Sequence, residues 1–191
     1  MAINAWGYET DTMPALLTAE EFAVLTGNTL SSTTTQIEAV LSGVSQVVRD
    51  YCGWHVSPKL TCTWKGDGDG RIVELPAIFV SEIASVKVDG RTLSSNEYQW
   101  KQDGLIRLAQ PLKDDWGRRV EVEFSAGVSS AAIQDVVSQV AVNYLVAPAG
   151  VSSEMVGSAM ITYNATGYGI AGGIRLHSTD KATLAQYRIT R

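Results

Sequence analysis

Two stretches of this chain carry the same helical stripe: Ile37, Val40, Leu41, Val44, Val47, Val48 and Tyr51, and later Ile133, Val136, Val137, Val140, Ala141, Tyr144 and Leu145. Spacing of i, i+3, i+4, i+7 sets each group on one face of a 3.6-period helix, and an apolar stripe of that width must be covered. Only strand-like sequence lies between them. The arrangement predicts an α+β fold, a small helical bundle with an inserted antiparallel β section. Both stripes read chiefly as core, because a helix of a small domain buries one face before it offers another. They differ too much to be a duplication, and no other internal repeat is present.

The totals bound what such a chain can be. At 191 residues it fits one domain of ordinary size, with a foldable body from about Ala15 to Pro148. A hydrophobic share of 45% with 18% charged residues is globular, and the net charge of -5 opposes tight, sequence-independent wrapping of DNA, which needs a basic face. DNA passing close by without being held remains compatible with it. Cys52 and Cys62 form no CxxC pair and are expected to be reduced thiols. No apolar run reaches the roughly 18 residues of a membrane span, and Met1 to Tyr8 lacks the pattern of a signal peptide, so the protein is expected to be made and to stay in the cytoplasm.

Residues 1–16 read as an irregular, flexible N-terminal segment whose aromatics, Trp6 and Tyr8, are candidate contact residues. The body, 17–148, holds three helices. Over 18–26, Thr18 with Glu21 forms a capping box, Leu17 and Phe22 sit where a hydrophobic staple would, and Gly27 closes the helix. Over 33–52, the run Ser31 to Thr35 offers caps, Thr35 with Glu38 reads as a second box, and Gly53 ends the helix. Over 130–147, Ser129 or Ser130 is the cap and Pro148 the stop. Between them, at 60–125, six strand runs are predicted: Leu60 to Lys65, Arg71 to Leu75, Val80 to Val88, Tyr98 to Lys101, Leu105 to Leu108 and Val120 to Ser125. Val120 to Phe124 alternates apolar inward with carboxylate outward. Asp89-Gly90 and Asp103-Gly104 both read as type I′ hairpin tips, giving an antiparallel meander.

Residues 149–191 read as an extended arm. From Ala149 to Gly173 Glu154 is the only charge and glycine is frequent, so ordering must be offset by a partner surface. Ile161, Tyr163, Tyr168 and Ile170 argue against plain disorder. Met155 to Tyr163 suits a strand, and a terminal helix is predicted at about 179–188, with Ser178 or Thr179 as cap and Asp180 favouring its N-terminal dipole. From Ile174 onward Arg175, Lys181, Arg188 and Arg191 face one acid, so an acidic body carries a basic end.

Chemical motifs are weak. Gly167 to Gly172 matches GxGxxG, but no helix or downstream acid of a dinucleotide site follows. Gly66-Asp67-Gly68-Asp69-Gly70 lacks the third and closing ligands of a calcium loop and reads as a hairpin tip able to serve as an interface loop. His55 and His177 stand apart from any ligand set. Gly127-Val128-Ser129-Ser130-Ala131 lacks the second glycine of a nucleophile elbow. Asp114-Asp115 reads as a turn before Trp116-Gly117 rather than an acid/base pair. No catalytic residue, cofactor or metal is expected. The rival class is a soluble ligand-binding domain, carbohydrate-binding for instance, or an enzymatic one, with Trp64, Trp100 and Trp116 around a pocket.

With these elements in place the chain resembles the head-tail connector, or adaptor, family of tailed bacteriophages. The resemblance rests on Leu16-Leu17-Thr18-Ala19-Glu20-Glu21-Phe22, on Val47-Val48-Arg49-Asp50-Tyr51-Cys52-Gly53, on Ile83-Ala84-Ser85-Val86-Lys87-Val88-Asp89-Gly90, and on the closing Ser178 to Arg188. It implies a non-enzymatic virion protein of the neck, assembled in the bacterial cytoplasm as a ring, most often of twelve copies, beneath the portal protein. It further implies a stopper or tail-completion protein on the other side and genomic DNA crossing the central channel, where an acidic protein keeps DNA from sticking. Leu184, Tyr187 and Arg188 would anchor the terminal helix in the portal, and Arg175 and Arg191 would pair with portal carboxylates. Trp6, Tyr8, Asp67, Asp69, Ile161, Tyr163, Tyr168 and Ile170 would contact neighbouring subunits or the stopper. The chain departs from the family pattern in its long Gly-rich stretch before the closing helix and in its larger β section.

Overall fold

The computed structural model describes residues 4–9, 13–28, 33–112, 120–146, 153–156, 159–162 and 174–190. These form two compact units, one of Met1–Met13, Cys52–Ser129 and Tyr187–Arg191, the other of Pro14–Tyr51 and Ser130–Gln186. The described elements are helices and antiparallel strands, the α+β class expected.

The helical unit contains α1 (Ala19–Leu25), α2 (Thr34–Cys52, its last residue counted with the other unit), α3 (Ala131–Val146), the hairpin strands β9 (Ser153–Val156) and β10 (Ala159–Thr162), and α4 (Ser178–Leu184), which runs into a 3-10 turn at Ala185–Tyr187. The stripes are core as predicted: Val40, Leu41, Val44 and Val48 of α2 are buried, as are Ile133, Val136, Val137, Val140 and Ala141 of α3. Each of the Val, Leu and Ile side chains among them, taken from water, contributes about 1.5–3 kcal/mol. The C-terminal end of the second stripe differs, since Tyr144 is exposed. Two polar residues of α2 fasten the segment leading into α1. Buried Ser45 accepts from the Leu16 N–H at 2.8 Å and donates to the Leu41 carbonyl, while buried Arg49 donates to the Pro14 carbonyl at 2.7 Å.

Caps set the helix starts. The Thr18 hydroxyl accepts from the Glu21 N–H at 3.1 Å and the Glu21 carboxylate accepts from the Thr18 N–H at 2.8 Å, with Leu17 and Phe22 buried beside them. The second box sits two residues earlier than predicted: Thr33 and Gln36 exchange these bonds, at 3.1 and 3.3 Å, so Thr35 and Glu38 lie inside α2. A glutamine amide serves the reciprocal role as well as a glutamate. α4 also starts early, because the Asp180 carboxylate accepts from the His177 N–H at 2.8 Å and makes His177 the cap position.

The β unit holds eight strands: β1 (Tyr8–Glu9), β2 (Leu60–Gly66), β3 (Ile72–Glu74), β4 (Val80–Val88), β5 (Arg91–Thr92), β6 (Tyr98–Trp100), β7 (Leu105–Leu108) and β8 (Val120–Ala126). They form a five-stranded sheet in the order β1-β2-β8-β4-β5 and a three-stranded sheet in the order β3-β7-β6, antiparallel throughout. The pairing is not purely sequential, as a meander would be: β8, the last strand of this unit in sequence, lies centrally between β2 and β4. Its alternation requires this place. Val120, Val122, Phe124 and Ala126 are buried, while Glu121 has Lys65 of β2 and Lys87 of β4 as register partners and bridges both, at 3.3 and 2.7 Å. The hydrogen bond from Lys87 holds the Glu121 carboxyl below its ordinary range.

At the β4–β5 tip Asp89 and Gly90 have φ of 53° and 79°, the pair of positive values a type I′ turn requires. At the β6–β7 tip only Gly104 is positive, at 83°; the Gly104 N–H bonds the Lys101 carbonyl, and the Lys101 N–H bonds the Leu105 carbonyl. That longer loop with one left-handed glycine replaces the predicted I′ turn, and the Asp103 carboxylate accepts the Leu105 N–H instead of occupying positive φ. β1 is a further addition. Tyr8, in the stretch read as irregular, pairs with Trp64 of β2 and is fully buried.

Replacing Thr18 by alanine removes one half of a reciprocal cap and is expected to cost about 1 kcal/mol, read as a lowered midpoint in chemical denaturation with an unchanged slope.

Candidate functional site

The chemistry-bearing residues of the β unit converge just after α2. Gly53, at φ 80°, ends the helix, and the chain enters the β unit with Trp54 and His55, both fully buried. The His55 Nε2 lies 3.0 Å from the Ala126 carbonyl, which only accepts, so Nε2 carries the hydrogen. Nδ1 is therefore the acceptor for the Tyr8 hydroxyl at 2.6 Å, and the Tyr8 oxygen in turn accepts the His55 backbone N–H at 3.1 Å. Trp54 stands edge-on to His55, with centroids 5.0 Å apart, and is stacked on Phe79, which touches Tyr187 at 5.9 Å. The Trp54 indole N–H donates to the Tyr187 carbonyl at 2.7 Å, and the Ile189 N–H donates to the Cys52 carbonyl at 2.9 Å. Val56 and Phe79 are held at φ 65° and 56°, a region costly for such side chains, on the order of 1–3 kcal/mol each, and kept only where packing over-determines it.

This cluster ties the end of the chain to the β unit. It holds every hydrogen-bonding group of His55 in a defined pairing and is structural in character. Cys52 belongs to it: burial pushes its thiol up to about 12, against the opposing pull of the Arg188 charge. Cys62 is buried as well and its thiol contacts the Leu60 carbonyl. Among the described residues no group of His, Cys, Asp and Glu gathers to hold a metal ion, and no helix is long and apolar enough to cross a membrane.

The residues read from the sequence as contacts are distributed differently. Arg175 and Arg188 are exposed, while Leu184 and Tyr187 are buried within the chain itself. Ile174 and α4 are seated in the helical unit: a Cβ on Gly43 of α2 would lie 2.9 Å from the Ile174 side chain, and the Tyr51 hydroxyl donates to the Lys181 carbonyl at 3.0 Å. Trp6 is half-buried and stacks on Tyr8. Asp67 and Asp69 are exposed on a tight turn in which Asp69 and Ile72 exchange both backbone hydrogen bonds. Ile161 lies in β10, in register with Glu154. Tyr163, Tyr168, Ile170 and Arg191 lie outside the described residues, as do the GxGxxG stretch, Asp114-Asp115 and Trp116.

Of the tryptophans of the rival reading, the two described, Trp64 and Trp100, lie in different sheets. Trp64 turns its indole onto Gly66, whose missing side chain leaves the space for it. Trp100, 39% exposed, lies in the other sheet, at an open depression of about 820 Å³ that does not include Trp64. Sequence reasoning missed Trp54 and His55, whose signal was their place directly after the helix-ending glycine, where a chain re-enters a core.

The fold and the family now meet. The chain belongs to the head completion protein family, whose sequence model matches residues 15–147. Among solved structures it is similar to a chain in the neck of an empty GTA particle, at 14% identity and a TM-score of 0.63 over 96% of each chain. A chain in the virion of a native gene transfer agent (GTA) particle gives 14% identity and a TM-score of 0.61, again over 96% of each. A third, in the neck of a native GTA particle computed with C12 symmetry, gives 15% identity and 0.57 over all of this chain and 97% of that one. No curated protein sequence matches the chain. Family and fold both agree with the resemblance to head-tail connectors.

Replacing Trp54 by phenylalanine removes the donor to Tyr187 while keeping an aromatic in place. The expected result is faster amide exchange at Tyr187 to Thr190, and a Cys52 thiol that reacts measurably with a thiol reagent at mildly alkaline pH, where the native protein reacts only as it unfolds. Unchanged exchange at those amides would show that the indole does not hold the chain end.

Proposed function

We propose that this protein is a structural, non-enzymatic adaptor of the head-tail neck of a phage-like particle. On this reading it assembles as a ring, most often of twelve copies, under the portal protein. It offers its far side to a stopper or tail-completion protein, and genomic DNA crosses the channel without being held. The observation that carries the reading is the end-to-end likeness in fold to a neck chain, 96% of both chains at a TM-score of 0.63, together with the family match over 15–147. The neck relatives, computed with C6 and with C12 symmetry, support a cyclic ring. Ring closure uses two different faces of each subunit, so weak contacts are multiplied by symmetry.

Portal docking is assigned to the basic end. Arg175, Arg188 and Arg191 offer the charges that orient the encounter, and Leu184 and Tyr187, packed inside the chain, fix the short helix and turn that Arg175 precedes and Arg188 follows. Trp6, Asp67, Asp69 and the 149–173 stretch with Ile161, Tyr163, Tyr168 and Ile170 are the proposed contacts with neighbouring subunits or the stopper, while Tyr8 fixes the strand that presents Trp6. An excess of 20 acidic over 15 basic residues suits a wall that DNA slides past.

The test is native mass spectrometry of the protein with the portal protein of the same particle. A closed multi-copy complex is expected. Arg175→Glu with Arg188→Glu should weaken it by about tenfold or more while leaving the melting temperature nearly unchanged. A protein that ignores the portal and retains a small molecule instead would overturn the reading.

A further inference from the structure

The three-stranded sheet has one face in the core and one open. Val73, Ile106 and Leu108 are buried, while Ile72 of β3, Arg107 of β7 and Gln99 of β6 are exposed and stand in register across the three strands. At this sheet lies the depression of about 820 Å³, lined by Arg71, Ile72, Trp100, Lys101, Leu105 and Arg107; Trp100 is in register with Ile106, on the face opposite Arg107 and Ile72, and borders the depression from the edge strand. Three cations surround half-exposed apolar and aromatic side chains, and none of the three forms an ion pair among the described residues. On a protein whose net charge is -5 this lining carries three cations and no carboxylate, with Glu74 in register with Leu105 just outside it. β6 is moreover the edge of its sheet, with the strand Tyr98–Trp100 paired among the described residues on one side, to β7.

The geometry points to a docking surface for an extended acidic polypeptide segment of a partner protein, with carboxylates on Arg71, Lys101 and Arg107, and with the alternate, apolar side chains on Trp100 of the other face of the edge strand. Charge complementarity selects an anionic occupant. Composition selects polypeptide over DNA: tryptophan and arginine flanking an apolar floor are what concentrate binding energy between proteins, whereas three phosphate contacts give weak, salt-sensitive DNA affinity that the overall negative charge reduces further. The open edge of β6 provides backbone partners for a strand, and alternating side chains of that strand then fall on the cationic face. The surface lies wholly within the β unit and includes none of the residues assigned above to portal docking, so it stands or falls separately from the neck reading.

The experiment uses the full chain, isotopically labelled, titrated with a synthetic peptide of alternating Glu and Leu, with the same peptide carrying Lys for Glu, and with a short double-stranded DNA. The acidic peptide is expected to shift amide resonances of β3, β6 and β7 and to lose about tenfold in affinity in Arg107→Glu, and likewise in Lys101→Glu, a second variant in case the first folds poorly. Binding of both peptides alike, shifts mapping elsewhere, or tighter binding of DNA at this face would overturn the proposal. So would self-association of the unliganded chain abolished by Arg107→Glu, since the occupant would then be a second copy.

Discussion

The buried indole of Trp54, donating to a backbone carbonyl 133 residues further along the chain, is the constraint on which the β unit depends. A tryptophan N–H removed from water and left unpaired costs roughly 1–3 kcal/mol, so burying Trp54 fixes where Tyr187 must be. The ordering entropy of closing so long a loop grows only slowly with its length, which makes the distant partner an affordable one. From Trp54 the remaining ties follow. His55, next in the chain, accepts Tyr8 and donates to Ala126, so the N-terminal strand and the end of β8 are brought to the same point. Phe79 fills the space between Trp54 and Tyr187, and Ile189 bonds the Cys52 carbonyl. Three separate stretches of sequence thereby become one unit.

This arrangement changes what the C-terminal end means. A basic tail free in solution would order only on a partner surface. Here its apolar residues are spent internally and its cations are left outside, with Arg175 and Arg188 exposed while Leu184 and Tyr187 are buried. If this end docks as proposed, it is presented rather than recruited and forfeits less conformational entropy on binding.

Local signals were legible wherever one stretch of sequence decides the outcome. The two stripes, the Thr18 box, the glycine at position 53, the Asp89-Gly90 turn and the alternation of β8 all read correctly because each is settled within a few residues. What escaped is what depends on distant partners. The pairing of β2 with β8 is written only as two compatible apolar faces, and Tyr8 looked like a loose aromatic because its partner His55 lies 47 residues away. The Thr33–Gln36 box was displaced from Thr35 and Glu38 because a Ser/Thr run offers several equivalent caps and the choice among them falls to the packing of α2. For the candidate contacts, residue type and charge were readable, but exposure was not. Leu184 and Tyr187 looked like anchors for a partner since their internal partners lie elsewhere in the chain. The depression lined by Arg71, Lys101 and Arg107 went unseen because those residues come together only when β3, β7 and β6 pair.

A chain built from two internally fastened units, with Arg175 and Arg188 exposed, suits the place proposed for it in a symmetric collar. The most direct test is electron cryo-microscopy of intact particles reconstructed around the head-tail axis. The account requires density that fits this fold in a closed ring between the capsid vertex and the tail, with Arg175 and Arg188 facing the portal. A neck reconstructed without this chain, or the chain found only elsewhere in the particle, would contradict it.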